Sequence, residues 1–174
     1  MVEIPFDSTR KRMSLIVKNM ETHEITVMTK GADNIMLERI VMEQDLKEKT
    51  KEQLYRFACL GLRTLVMGQK ELKEEFFEDW QKRFKKAQVM KDKDEKELAL
   101  TKLFEEVEQD LEYLGSSAIE DLLQEEVPET IQSCLDAGIR LWVLTGDKQE
   151  TAIEIGKSCN LINEQEMELQ ILSS

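Results

Sequence analysis

Two short β-rich segments, Met13–Lys18 (Met-Ser-Leu-Ile-Val-Lys) and Glu24–Lys30 (Glu-Ile-Thr-Val-Met-Thr-Lys), flank a polar stretch at 19–23. That arrangement predicts a β-hairpin. Pro5 has no N–H to give a ladder, so a first strand is expected to begin after it or to lie at a sheet edge. Lys30-Gly31-Ala32-Asp33 breaks the second strand and opens a helix through about Glu43. A second helix, about Asp45 to Leu60, is expected to carry Leu46, Leu54, Phe57 and Ala58 on one side, with Gly61 as its stop. Arg63 to Gly68 (Arg-Thr-Leu-Val-Met-Gly) reads as a further strand.

Two amphipathic helices come next. Leu72, Phe76, Phe77, Trp80, Phe84 and Ala87 form one stripe; Leu100, Leu103, Phe104, Val107 and Leu111 form another. The charged run Lys91-Asp92-Lys93-Asp94-Glu95 joins them. Such stripes are the pattern of core packing, with a partner-binding face as the alternative.

The pattern changes again near Leu114-Gly115. A strand of about Leu111–Ile119 is followed by Pro128, placed where a first helical turn tolerates proline. The helix runs to Ala137 and stops at Gly138; an apolar strand over 139–144 follows, then a helix from near Lys148. Strand, helix, strand, helix with short connections implies a parallel α/β layer. Two folding units are expected, with the boundary near residue 110.

Composition narrows the function. The 174-residue chain is 41% hydrophobic and 34% charged, as in water-soluble globular proteins, with no apolar run long enough to span a bilayer. Cys59, Cys134 and Cys159 read as reduced cytosolic thiols, and with the lone His23 they form no zinc spacing. A net charge of −12 argues against nucleic acid as a partner. Yet residues 1–30 carry a net +1 and the remainder −13, a locally basic start that suits a small anionic ligand.

Four clusters are candidates for chemistry. Phe6-Asp7-Ser8-Thr9-Arg10-Lys11-Arg12-Met13-Ser14 sets an aromatic ring, able to stack on a base, beside three cations able to neutralise phosphate; a solvated, charged strand start is the alternative. In Lys30-Gly31-Ala32-Asp33 the glycine would let backbone approach a ligand near a lysine, although a plain strand-to-helix turn has the same look. Arg63, in Gly61-Leu62-Arg63-Thr64-Leu65, suits either a phosphate fork or a surface ion pair. Leu141-Trp142-Val143-Leu144-Thr145-Gly146-Asp147-Lys148 reads as a buried strand ending in a tight loop, with a helix behind it that aims N–H groups and the positive helix end at an anion. Alternatively Asp147 is a simple N-cap, with Glu150 closing a capping box.

Taken in order, these clusters resemble one family. With Ile119-Glu120-Asp121 added, and Leu141–Ala152 as the longest string, they look like the cytosolic region of type IV P-type ATPases, the phospholipid flippases. Cation-pumping P-type ATPases share Lys-Gly-Ala and Thr-Gly-Asp, whereas the longer strings are more flippase-like. The resemblance implies an α/β chain: residues 1–110 as the C-terminal part of a nucleotide-binding domain, an antiparallel sheet with flanking helices. Residues 111–174 would be part of a phosphorylation domain, a haloacid-dehalogenase-like doubly wound parallel fold. It implies ATP as ligand, with Phe6 stacked on adenine, Lys11 and Lys30 lining the pocket and Arg63 reaching toward the phosphates. Thr145, Gly146 and Asp147 would hold the transferring phosphoryl group.

The resemblance also implies Mg2+, phospholipid and membrane contact through transmembrane parts, and an accessory subunit of the full-length protein. The family's Asp-Lys-Thr-Gly-Thr and Gly-Asp-Gly-x-Asn-Asp strings do not occur in this sequence. The expectation is therefore a soluble piece that starts and ends mid-domain, neither forming an aspartyl-phosphate nor moving lipid by itself. The competing readings are an acidic helical interaction module over 71–111 and a soluble haloacid-dehalogenase-like phosphatase. The latter needs an Asp-x-Asp nucleophile motif after an early strand, whereas Asp92-Lys93-Asp94 of this sequence lies in the charged run between two helical stripes.

Overall fold

Arg12, Ser14 and Ile16 are buried, whereas Met13, Leu15 and Val17 are only half-buried. The strand they form, β2 (Arg12–Lys18), therefore has one face in a core and one turned outward. A computed structural model describes residues 1–120, 122–163, 165 and 167–172 of the chain. Asp121, the last residue of the Ile119-Glu120-Asp121 string, lies outside them. The described chain divides into two compact units, residues 1–49 with 65–117, and residues 50–64 with 118–174.

The first unit is built on a six-stranded sheet. β1 (Val2–Asp7), β2, β3 (Ile25–Gly31) and β5 (Arg63–Leu72) lie in that order, followed by β6 (Leu111–Ile119) and β4 (Ile40–Val41). The predicted hairpin is β2–β3, antiparallel with Arg12 opposite Gly31 and Lys18 opposite Ile25. Pro5 sits in β1 itself, at the sheet edge, where the register with β2 shifts between Ile4 and Asp7. An edge and a bulge are the two places where a missing N–H costs no ladder bond.

Two expectations for this unit are corrected. The helix after Gly31 ends early: α1 covers Asp33–Arg39, and Ile40 and Val41 form β4, parallel to Leu111 and Glu112 of β6. Ile40 gains burial and a ladder by leaving the helix, which local propensity did not reveal. The sheet is accordingly mixed rather than antiparallel, and β6 completes it instead of starting a second sheet.

The amphipathic stripes are core. α3 (Glu74–Gln88) buries Trp80 and Ala87, and α4 (Lys93–Val107) buries Leu103 and Val107. The Trp80 ring stacks on Phe77 at 6.1 Å and on Phe84 at 5.0 Å, while its indole N–H donates to the Leu103 carbonyl at 2.8 Å. Asp92 caps α4, accepting from the amides of Asp94 and Glu95. Leu111, counted both in the second stripe and at the start of a strand, begins β6 as the strand reading has it, and is fully buried.

The second unit holds most of α2 (Gln44–Cys59), then α5 (Val127–Asp136) and α6 (Gln149–Ser158). Leu54 and Ala58 of α2 are buried as predicted, Leu46 is exposed, and Gly61 follows the helix at φ +73°, a left-handed stop. Pro128 lies in the first turn of α5. The strand expected at 139–144 does not form, and no strand occurs among the described residues beyond Ile119. Trp142 and Leu144 are almost wholly exposed, at 86% and 98%. A run of apolar residues specifies a strand only when another strand lies alongside to complete its ladder. All three cysteines are free thiols, and among the described residues no helix is long and apolar enough to cross a membrane.

Candidate functional site

The outward face of the first unit's sheet is the first candidate. Strand register places Met13, Lys30 and Met67 in one row across β2, β3 and β5, with Leu15, Met28 and Gln69 in the next. Pro5 and Phe6, the bulge residues of β1, fall opposite Met13 and so continue the first row. Phe6 is 63% exposed and Lys30 is exposed, on a face whose other side chains are largely apolar. An open apolar surface with a free aromatic ring at one side and an ammonium beside it suits a flat, anionic ligand.

Lys11 joins them from the β1–β2 turn. Its φ is +52°, its N–H donates to the Asp7 carbonyl at 2.7 Å, and its own carbonyl accepts from the Ala32 N–H at 3.0 Å. The Asp7 carboxylate accepts the amides of Arg10 at 2.8 Å and Thr9 at 2.9 Å, closing the turn. The Arg10 amide bond holds the Asp7 carboxyl below the usual carboxylate range. Phe6, Lys11 and Lys30 are thus gathered at one end of the sheet.

Two readings of this cluster change. Arg10 and Arg12, taken with Lys11 as phosphate-neutralising cations, are committed inward. Arg10 Nη1 donates to both carboxylate oxygens of Glu108 at 2.8 Å, and Arg12 Nε to one of them at 2.7 Å. The Ser14 hydroxyl adds a third donor at 2.6 Å, and Arg12 also pairs with Glu105. Arg10 lies over the Phe104 ring at 4.9 Å rather than over Phe6. Gly31, in turn, makes room for the chain itself: a Cβ there would sit 2.6 Å from the Arg12 Cβ and 2.7 Å from the Lys11 carbonyl oxygen.

Burial pushes the Glu105 carboxyl up, but hydrogen bonds and charge from Arg12 and Arg39 outweigh it, so the group sits below the ordinary glutamate value of 4.5. A depressed carboxyl contributes stability that is present above its unfolded value and is lost as pH falls through the folded one. The urea midpoint of Glu105→Gln should therefore lie below wild type at neutral pH. The gap should close as pH drops below about 4.5. Parallel urea titrations across that range check it; a gap that stays constant would remove Glu105 from the network.

The second candidate lies in the other unit. The Thr145 hydroxyl accepts the Asp147 amide at 3.1 Å and donates to the Asp147 carboxylate at 3.0 Å. Arg63 Nη2 faces the same carboxylate at 3.5 Å. Asp147 is not the helix cap, and the expected capping box with Glu150 is not formed. Lys148 occupies the N-cap position of α6 and makes no side-chain capping bond, an ammonium having no acceptor to offer, while the Asp147 carboxylate is engaged by Thr145 and Arg63. Arg63 is thus brought to Asp147 within one unit, whereas Phe6, Lys11 and Lys30 belong to the other.

Comparison with known proteins decides the family. The family model described as P-type ATPase, cytoplasmic domain N, matches residues 1–126. The mouse phospholipid-transporting ATPase ID is 45% identical over 171 residues, covering 98% of this chain and 14% of that protein. Phospholipid-transporting ATPase C4F10.16c of Schizosaccharomyces pombe is 46% identical over 162 residues, 92% of this chain and 12% of that protein. A probable phospholipid-transporting ATPase of Arabidopsis thaliana, number 11, is 42% identical over 171 residues, again 98% and 14%. The chain belongs to the type IV P-type ATPases. It spans about one seventh of the length of these relatives.

For this type IV P-type ATPase segment, sequence reasoning missed the residues that shape the open face and its support. Met13, Leu15, Met28 and Met67 stand in the sequence only as strand formers, although period-two alternation separates Met13 and Leu15 from Arg12, Ser14 and Ile16. Glu105 and Glu108 were hidden in a generally acidic helix, and nothing local marks a carboxylate that will meet arginines more than ninety residues away. P-type ATPases use Mg2+, but among the described residues no group of three or more His, Cys, Asp or Glu side chains converges to hold a metal ion.

Proposed function

We propose that this chain is the nucleotide-binding piece of an ATP-driven phospholipid flippase, together with the start of its phosphorylation domain. Residues 1–119, whose last strand completes the first sheet, are read as the C-terminal part of the nucleotide-binding domain. The residues beyond them are assigned to the haloacid-dehalogenase-like domain on the strength of the Thr-Gly-Asp string and the family, which moves the boundary expected near 110 past β6. The carrying observation is the grouping of exposed Phe6, Lys11 and Lys30 at one end of an open, largely apolar sheet face.

On this reading adenine stacks on Phe6 and lies over the apolar rows, and Lys11 and Lys30 face the phosphates. Arg63, Thr145, Gly146 and Asp147 form the group that meets the transferring phosphoryl. A hydroxyl, a backbone N–H and a guanidinium aimed at its oxygens stabilise charge as it develops. Thr145 must first exchange its bond to Asp147 for one to a phosphoryl oxygen. The acceptor is an aspartate outside this sequence, with ADP leaving, and the energy moves phospholipid through membrane segments also outside it. That places the chain on the cytosolic face of a membrane, with magnesium arriving on the nucleotide and an accessory subunit bound to the whole protein.

Titration of the chain with ATP, with and without magnesium, followed by amide chemical shifts, tests the pocket. Loss of base stacking in Phe6→Ala should weaken binding by about 5- to 100-fold. Loss of one phosphate-facing cation in Lys30→Ala should weaken it by about tenfold. Shifts should concentrate on β1, β2 and β3. A folded chain whose spectrum is unmoved by several millimolar ATP, on the order of weak binding constants, would defeat the reading.

A further inference from the structure

Arg10 and Arg12 flank Lys11 in sequence, and both turn away from the open face into one buried carboxylate. Glu108 is fully buried and Arg10 is 10% exposed. The Arg10 guanidinium works as a two-sided fork. Nη1 holds both oxygens of Glu108, and Nη2 donates to the Pro5 carbonyl at 2.8 Å, the residue before Phe6. Arg12 binds the same carboxylate through Nε and returns Nη1 to the Arg10 carbonyl at 3.0 Å. The backbone of Lys11 is thereby held on both sides, and its carbonyl is tied to Ala32, two residues past Lys30.

We propose that Arg10 and Glu108 are positioning residues for the nucleotide pocket. They clamp the β1 bulge that presents Phe6 and the turn that presents Lys11, without touching nucleotide themselves. The inference rests on the pocket reading above. The sheet edge supplies a physical need for such a clamp. β1 is an edge strand whose ladder is broken at Pro5 and Phe6, so its backbone has no regular partner where the stacking ring leaves it. Without the fork, ring and turn would have to be ordered at the moment of binding, and affinity falls by that ordering cost.

Arg10→Lys tests this, because an ammonium keeps the charge beside Glu108 and cannot span to the Pro5 carbonyl. Glu108→Gln is the second variant, and Ile25→Val, at the far end of β3, is the control that lowers the melting temperature without approaching the pocket. Affinity for ATP is measured by chemical-shift titration at a temperature where each variant is folded. Arg10→Lys should weaken binding by about three- to tenfold, the ordering cost of a long side chain and its turn. Amides of Phe6 and Lys11 should move before nucleotide is added, and Ile25→Val should bind as wild type does. A folded Arg10→Lys chain with wild-type affinity overturns the clamp alone, provided Lys30→Ala still weakens binding. A wild-type chain that binds no ATP overturns the clamp and the pocket together. Should Glu108→Gln fail to fold, Arg10→Lys decides.

Discussion

Replacing Glu108 by alanine should cost about 3–5 kcal/mol of stability, because it strands the Arg10 guanidinium without a counter-charge and leaves the buried Arg12 with Glu105 alone. Arg12 is 2% exposed and Arg10 little more, so neither recovers its hydration when the carboxylate is gone. The Ser14 hydroxyl keeps only its bond to Thr29, at 2.9 Å. The cost of the variant is mainly that of the abandoned partners; the net worth of the intact network is smaller. Urea unfolding followed by circular dichroism reads it as a lower midpoint at unchanged slope. Loss of less than about 1 kcal/mol would mean that water reaches the arginines, as at an exposed pair.

Trp80→Ala should be as damaging, at about 3–5 kcal/mol, through a different mechanism. The indole is wholly buried in α3, stacked between Phe77 and Phe84, and its N–H meets the Leu103 carbonyl of α4. Alanine opens a cavity at the α3–α4 seam. Trp80→Phe restores most of the stacking and gives up the hydrogen bond, worth about 1 kcal/mol, together with the smaller volume of the second ring. The two melting curves together separate packing from hydrogen bonding. Equal losses in both variants would contradict the assignment of most of the cost to packing.

The acidic helices 71–111 are thereby explained as core elements. Their apolar stripes face each other through Trp80, Phe84 and Phe104, and the charges on the outer faces pair locally. Arg83 bridges Asp79 and Glu106, and the Glu106 hydrogen bond raises its already high pKa. An interaction module would need an unspent apolar face there, and Trp80, Leu103 and Val107 are already buried.

Much was legible in the sequence because it depends on near neighbours. The 19–23 turn between β-rich segments, the left-handed stop at Gly61, the proline of the α5 first turn and the two helical stripes are set by period and by backbone chemistry within a few residues. Motif strings likewise sufficed to suggest the family that comparison established. Tertiary structure alone decided the rest. Ile40 and Val41 leave helix for strand because Leu111, seventy residues on, offers a ladder. The apolar run 139–144, whose pattern asks for a strand, has none beside it among the described residues. Lys11 and Arg12 are indistinguishable cations in a string, yet one is exposed at the rim of the open face and the other is sealed against Glu108. Side-chain identity sets what a residue is able to do. Pairing and burial, which involve partners distant in sequence, select which of those things it does.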